Sequence, residues 1–179
     1  MKIAVVVSSA TGRTRRMAEA FVEGCEQQGG RAVLLDAEVA DGADCEDADA
    51  LVLGCGVHMA GVPSPMRGFL ERLAPQWMSG ALAGRLGAAF VTSGAGARGG
   101  GELVLIELHA ALAQHGLLLV SMPSRTKGFS HGGSHWGPVA WTNPRGGEAG
   151  PTAGHLEAAR GHGRHVARCT ARWLRGAED

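Results

Sequence analysis

The chain has 179 residues, 45% of them apolar, with 17 basic and 17 acidic side chains and a formal net charge of zero. That length suits a single domain spanning residues 1–179 with a real core. Charge balance argues against general nucleic-acid binding, which needs a basic surplus.

The chain opens with an apolar run, Ile3 to Val7, inside a first strand expected over Lys2–Val7. It breaks at Ser8-Ser9-Ala10-Thr11-Gly12-Arg13-Thr14, and a helix follows over roughly Thr14–Gln28 with Met17, Phe21 and Cys25 on one stripe. The loop gathers hydroxyls, backbone N–H groups and a guanidinium at the positive end of a helix dipole, which suits a terminal phosphate. Neither GxxxxGK[ST] nor a GxGxxG after the first strand is present. Hydroxyls take the place of those glycines, which points to a single phosphate, as in FMN.

A short second strand is expected at Ala32–Leu35, then an acidic loop or weak helical turn over Ala37–Asp49, then a third strand at Ala50–Leu53. Ser64-Pro65 reads as a cap followed by proline at the first helical position. Met66, Phe69, Leu70 and Leu73 would form that helix's buried face. A fourth strand is expected at Leu86–Val91, a helix over Glu102–Gln114 ended by His115-Gly116, and a fifth strand at Leu117–Val120. Pro123–Pro151 shows no periodicity and carries seven glycines, Trp136 and Trp141. A loop of that length in a compact domain is functional or mobile; it is expected here to border the active site. Thr152–Arg175 closes the chain as a helix whose inner stripe is Leu156, Ala159, Gly163, Val166, Thr170 and Trp173.

No apolar stretch reaches the length of a membrane span. The chain begins directly on strand residues, so no signal peptide and a cytoplasmic location are expected. Cys25, Cys45, Cys55 and Cys169 are widely spaced and read as reduced thiols. His155, His162, His165 and Cys169 lie near one stripe of the last helix, but no further ligand can be assigned and no metal is expected. Arg160, Arg164, Arg168, Arg172 and Arg175, with no aromatic residues between them, read as a solvated face of the same helix, with an anion site as the alternative.

Alternating strands and helices with near-continuous apolar strands imply an α/β fold with a doubly wound, five-stranded parallel sheet. The order expected is 2-1-3-4-5, flavodoxin-like, with helices on both faces. In such sheets the ligand sits at the carboxyl ends of the strands, where the loops after strands one, three and four converge. Two of these, Gly54–Gly61 and Thr92–Gly101, are rich in glycine, which allows backbone to approach a flat ring.

On these motifs the chain resembles the flavodoxin-like NAD(P)H:quinone oxidoreductases of the WrbA type, within the NADPH-dependent FMN reductase group. The resemblance covers nearly the whole chain. SSATGRT resembles the family's phosphate loop, which implies that Ser9, Thr11, Gly12, Arg13 and Thr14 hold the FMN phosphate. GVHMAG stands where the family has PTRFGN, so Gly56, Val57, His58, Met59 and Ala60 would line the ring. TSGAGARGGGE resembles the third flavin loop and brings in Thr92, Ser93, Gly94, Ala95, Gly96 and Gly99. LAQHGL matches a family histidine near the isoalloxazine, here His115. QWMSGALAGR resembles a segment whose tryptophan, here Trp77, reaches the flavin of a neighbouring subunit, and GGSHWG would bring Trp136 to the pocket mouth.

The resemblance implies an enzyme that takes hydride from NADPH or NADH onto FMN and reduces a quinone or similar flat acceptor. His115 or His58 would supply a proton, and Arg98 or Arg125 could meet a 2′-phosphate. It also implies a homodimer or homotetramer. Three departures stand out: the second loop lacks the family's proline, arginine and phenylalanine, the chain has no tyrosine, and the region after strand two is short. A flavodoxin-type electron carrier, a non-catalytic FMN-binding protein and a reductase with a dedicated acceptor remain the alternatives.

Overall fold

The protein is described by a computed structural model covering residues 1–94, 100–142 and 150–176. The strands are β1 (Lys2–Ser8), β2 (Arg31–Asp36), β3 (Ala50–Gly56), β4 (Leu86–Gly94), β5 (Leu118–Leu119), β6 (Gly133–Ser134) and β7 (Gly137–Thr142). The helices are α1 (Arg13–Glu26), α2 (Ser64–Arg72), α3 (Ala74–Ser79), α4 (Gly101–Gln114), α5 (Phe129–Gly132) and α6 (Ala153–Gly176). A 3-10 turn at Ala43–Cys45 is the only regular structure in the acidic segment after β2.

The sheet runs β2-β1-β3-β4-β7-β6, parallel from β2 through β7. β1 and β3 are apolar on both faces because both faces are covered. Ile3, Val5 and Val52 pack with Met17, Phe21 and Val166 of α1 and α6, while Val6, Leu51 and Leu53 pack with Phe69 and Leu105 of α2 and α4. Among the described residues no helix is long and apolar enough to cross a membrane.

The fifth position of the sheet departs from expectation. The strand expected at Leu117–Val120 shrinks to Leu118–Leu119, which pairs only with Leu86 and Gly87 at the start of β4. The other end of β4, Val91–Gly94, pairs with Val139–Thr142 of β7. One strand position is thus filled by two pieces, and the chain leaves the sheet between them. The stretch read as a loop from Pro123 therefore contains α5, β6 and β7. Its glycines and Pro138 conceal a four-residue alternation: Val139 faces the α4 layer and Ala140 faces the α1 and α6 layer.

Local details differ too. α2 is capped by Pro63 rather than by the Ser64 hydroxyl, with Ser64 and Pro65 inside the first turn. Leu156, Ala159, Gly163, Val166 and Thr170 face inward or partly so, but Trp173 is 46% exposed. By then α6 has run beyond the strands that would have covered it. α1 and α6 meet almost backbone to backbone. A Cβ on Gly24 would overlap the Arg160 carbonyl, and one on Gly163 would overlap that of Phe21.

Candidate active site

A cleft of about 270 Å³ opens at the carboxyl ends of the strands. The loop after β1 supplies Thr11, Arg13 and Thr14; the end of β3 and its loop supply Gly56, Val57 and His58; the end of β4 supplies Thr92, Ser93 and Gly94. Three loops read separately in the sequence are therefore joined by the topology.

The loop after β1 presents hydrogen-bond donors and a guanidinium to one end of the cleft. α1 begins from Gly12, whose φ of 78° is left-handed, and no side chain at that position caps the helix. Within the first turn the N–H groups of Arg13 and Thr14, which line the cleft, have no hydrogen-bond partner among the described residues. The Ser9 hydroxyl accepts the Arg15 N–H at 3.0 Å, so it folds onto the helix rather than lining the cleft. The buried Thr14 hydroxyl is 2.7 Å from that of Thr92, which ties the first loop to the end of β4.

On the other face of β4, toward Gly101 of α4, the Ser93 hydroxyl is buried and has no hydrogen-bond partner among the described residues. An orphaned buried hydroxyl costs free energy unless a ligand meets it. The hydroxyls of Thr11 and Thr14, the Arg13 guanidinium and the Arg13 and Thr14 N–H groups form a donor set that fits a monophosphate, and the unpaired Ser93 hydroxyl at the neighbouring strand end is left for a group attached to it.

The second loop forms a tight turn. His58 and Gly61 exchange backbone hydrogen bonds of 3.0 and 2.9 Å, and Met59 and Ala60 between them have φ of 49° and 62°. Two non-glycine residues in left-handed geometry store strain, which tends to concentrate at functional sites. Met59 is fully exposed at the tip, and neither it nor Ala60 lines the cleft itself. His58 lies on the rim and is exposed.

His115 and Trp136, expected near the ring, and Trp77, expected to reach the flavin of a neighbouring subunit, all lie away from the cleft of their own chain. His115 follows α4, which runs back against the strands, so it sits at the opposite edge of the sheet, where the Gly116 carbonyl accepts the Gly84 N–H. Burial lowers its imidazole pKa. Trp77 lies on α3, before β4 begins, and is 52% exposed. Trp136 precedes β7, halfway down the sheet; its carbonyl bonds the buried His109 ring at 2.6 Å. None of the three lines the cleft. Arg125 is also remote from it, whereas Ala95, Gly96, Arg98 and Gly99 lie outside the described residues.

The cleft also contains residues that the sequence reading left out. Glu38 follows β2, Pro63-Ser64-Pro65 opens α2, and Thr142 ends β7. The proline-marked start of α2 carried a usable signal, since a helix N-terminus after β3 must open on the same side as that of α1. Thr142 carried none without the split strand. Its hydroxyl donates to the Ser93 carbonyl at 3.1 Å and so braces the third loop.

Cys55, at the end of β3, is fully buried, and burial with the nearby Glu107 charge pushes its thiol up to about 12. It is a packing residue, not a nucleophile. Among the described residues no group of three or more His, Cys, Asp or Glu could hold a metal.

A doubly wound sheet with its phosphate loop after β1 and its cleft at the switch between β1 and β3 defines a mononucleotide-binding α/β protein. The flavodoxin family model matches residues 5–154, and the chain belongs to that family. A protein of Geotalea uraniireducens named NAD(P)H dehydrogenase (quinone) is 32% identical over 98% of this chain and 100% of its own length. One of the same name from Sinorhizobium fredii is 31% identical over 96% of this chain and 98% of its own. Among solved structures, a WrbA-like flavodoxin from Agrobacterium tumefaciens is 28% identical with a TM-score of 0.74, covering 96% of this chain and 98% of that one. An archaeal flavodoxin is 20% identical with a TM-score of 0.72, over 96% and 99% of the two chains.

Proposed function

We propose that the protein is an FMN-dependent oxidoreductase that takes hydride from NADPH or NADH and passes electrons to a quinone or similar flat acceptor. The observation that carries this reading is the cleft itself: a helix N-terminus whose Arg13 and Thr14 N–H groups lack partners, clustered hydroxyls and a buried, unpaired Ser93 hydroxyl, all where three loops meet. The full-length relatives named NAD(P)H dehydrogenase (quinone) support the donor and the acceptor class.

Thr11, Arg13, Thr14 and the first-turn N–H groups of α1 would hold the phosphate of FMN, and the backbone from Gly56 to His58 and from Thr92 to Gly94 would flank its ring. FMN, when bound, would supply the redox chemistry, and the protein its orientation and electrostatics. Ser9, Gly12, Met59 and Ala60 would shape the loops from behind. The strained turn holds the His58 backbone at the rim, where its exposed ring could hand a proton to the acceptor.

Trp77, Trp136 and His115 would reach a flavin only from a second copy of the chain, in a homodimer or homotetramer. α4 supports self-association: Leu103 and Ile106 are 61% and 45% exposed while Val104, Leu105 and Leu108 on the same helix are buried. A helix apolar on both sides is normally covered on both. Light scattering after size exclusion should give a mass of two or four chains. A cytoplasmic location belongs to the same reading.

Anaerobic stopped-flow mixing of the FMN-loaded protein with NADPH, and separately NADH, tests the function. Bleaching of the flavin band that a quinone reverses is expected. Tight FMN binding without bleaching by either nucleotide would favour an electron carrier or a non-catalytic binding protein instead.

A further inference from the structure

A second concave surface, of about 720 Å³, lies on the lower half of α6 and shares no lining residue with the flavin cleft. One wall is the segment from Pro123 to Lys127, and the other is the α6 stripe Arg164, His165, Arg168 and Arg172. The Arg164 guanidinium bonds the Gln27 side chain, just past the end of α1. Arg168 and Arg172 lie still further along α6, toward the edge of the sheet opposite the flavin cleft.

Five cationic side chains line this groove in a chain of zero net charge. Glu157 is the only carboxylate paired with any of them among the described residues, bridging Lys127 at 3.5 Å and Arg164 at 2.7 Å. Arg160, one turn before Arg164, is satisfied by Glu23 and Glu157. Arg125, Arg168 and Arg172 make no ion pair or hydrogen bond among the described residues. Like charges four residues apart on a helix repel, so the run from Arg164 to Arg172 is unfavourable for α6 taken alone.

The two walls are locked together. A Cβ on Gly161 would come within 2.5 Å of the Lys127 carbonyl oxygen and 2.7 Å of the Thr126 methyl, so the segment rests directly on the helix. Gly128, at φ 87°, sits equally close to the Ala158 backbone. The two glycines hold Arg125 and Lys127 opposite the arginine stripe instead of leaving them to drift in solvent. The positive field is felt by neighbouring groups: after burial, Arg168 and Arg172 lower the His165 pKa further, and the same two charges oppose the rise of the Cys169 thiol.

We propose that this groove is a binding site for a small oligophosphate anion, separate from the flavin site. Guanidinium forks at i, i+4 spacing can bind adjacent phosphate groups in pairs, and a cation-lined concavity concentrates the field on such a ligand. Neither Phe nor Trp lines the groove, and its one ring, the His165 imidazole, is half-buried beside His162, so it offers little stacking platform for a base. Recognition would rest on linked phosphates, whether they belong to an inorganic chain or to a nucleotide.

The test is calorimetric titration of the FMN-loaded protein, whose phosphate loop is already filled, with sodium tripolyphosphate at about 0.1 M ionic strength. Saturable binding is expected, weakened about tenfold or more by Arg168→Gln with Arg172→Gln and by Arg125→Gln on the opposite wall. All three arginines are exposed, and flavin retention by the variants serves as the check that they fold. Orthophosphate should bind about tenfold more weakly than tripolyphosphate, since it spans fewer forks. Pyrophosphate and ADP separate the sources: equal affinity assigns the phosphates of a nucleotide as sufficient, and loss with ADP assigns an inorganic chain. No saturable binding of tripolyphosphate, or binding that the substitutions leave unchanged, overturns the proposal.

Discussion

Lowering the pH should loosen this fold through a single buried ring. His162 is completely buried on α6, edge-on to Phe21 at 5.6 Å between ring centres. Its Nε2 lies 3.2 Å from the Val120 carbonyl, which can only accept, so Nε2 carries the proton and the neutral ring is the native form. Burial, aided by the nearby His165 and His109, lowers its pKa to about 3. An unfolded histidine titrates near ~6.5. Above that value both states are neutral and the ring contributes no pH dependence. Below it the unfolded chain takes up a proton that the native protein refuses, so stability falls as pH falls, until the native ring titrates near pH 3. Between pH 7.5 and 5.0 the loss from this residue works out at about 2 kcal/mol. Burial lowers His109, His115 and His165 too, which adds to the fall with the same sign. Urea unfolding at the two pH values, run on the wild type and on His162→Gln, isolates the His162 part. The amide can still donate to Val120 but cannot titrate, so the variant should lose about 2 kcal/mol less across the interval. Parallel pH profiles for the two proteins would refute the assignment.

Replacing Ala60 by glycine should relieve one left-handed residue of the His58–Gly61 turn and raise the unfolding free energy by about 1 kcal/mol, read from denaturant midpoints. Gly163→Ala should do the reverse, since its methyl has nowhere to go between α1 and α6; a loss of about 1–3 kcal/mol is expected in the same assay. Thr11→Val removes a cleft hydroxyl and should weaken FMN binding about tenfold or more in a fluorescence-quenching titration, with the fold unchanged by circular dichroism. A thiol reagent should label the native protein at Cys169 alone, because Cys25, Cys45 and Cys55 are buried and pushed up to about 12; denaturation should expose all four.

Where the sequence was legible, local chemistry and topology agreed. The runs at Ile3–Val7 and Ala50–Leu53 are strands because both of their faces are covered, and such strands leave no ambiguity of period. The Ser8–Thr14 loop could be read because the hydroxyls, the guanidinium and the helix start are contiguous. Thr92 and Ser93 could be read once the strand order was inferred. What escaped was whatever depends on the chain leaving the sheet and coming back. Thr142 belongs to the cleft only because β7 takes up the pairing that β5 abandons after Leu119. No local pattern marks that exchange, since a strand opening on Gly137-Pro138 resembles a loop. The sequence also could not reveal that α4 carries His115 away from the cleft, because a residue's position along a helix says nothing about which edge of the sheet it reaches until the helix direction is known.

The split strand gives the two candidate binding surfaces a common origin. Had the fifth position been filled by one continuous strand, the chain would have passed from Leu119 straight to the cleft, with nothing to lie against the lower half of α6. By leaving after β5, it lays Arg125, Thr126 and Lys127 on Gly161 and forms the outer wall of the basic groove. By returning as β7, it brings Thr142 to the Ser93 carbonyl and forms part of the inner wall of the flavin cleft. His162 lies between the two, its Nε2 on the Val120 carbonyl at the point of departure and its ring neighbouring His165 of the groove at 6.4 Å. An anion bound by Arg168 and Arg172 would bear on the same helix that holds the excursion's starting point. The coupling would therefore run through α6, and the difference between the wild-type and His162→Gln pH profiles, measured with and without tripolyphosphate, would detect it as a change in slope that the variant lacks.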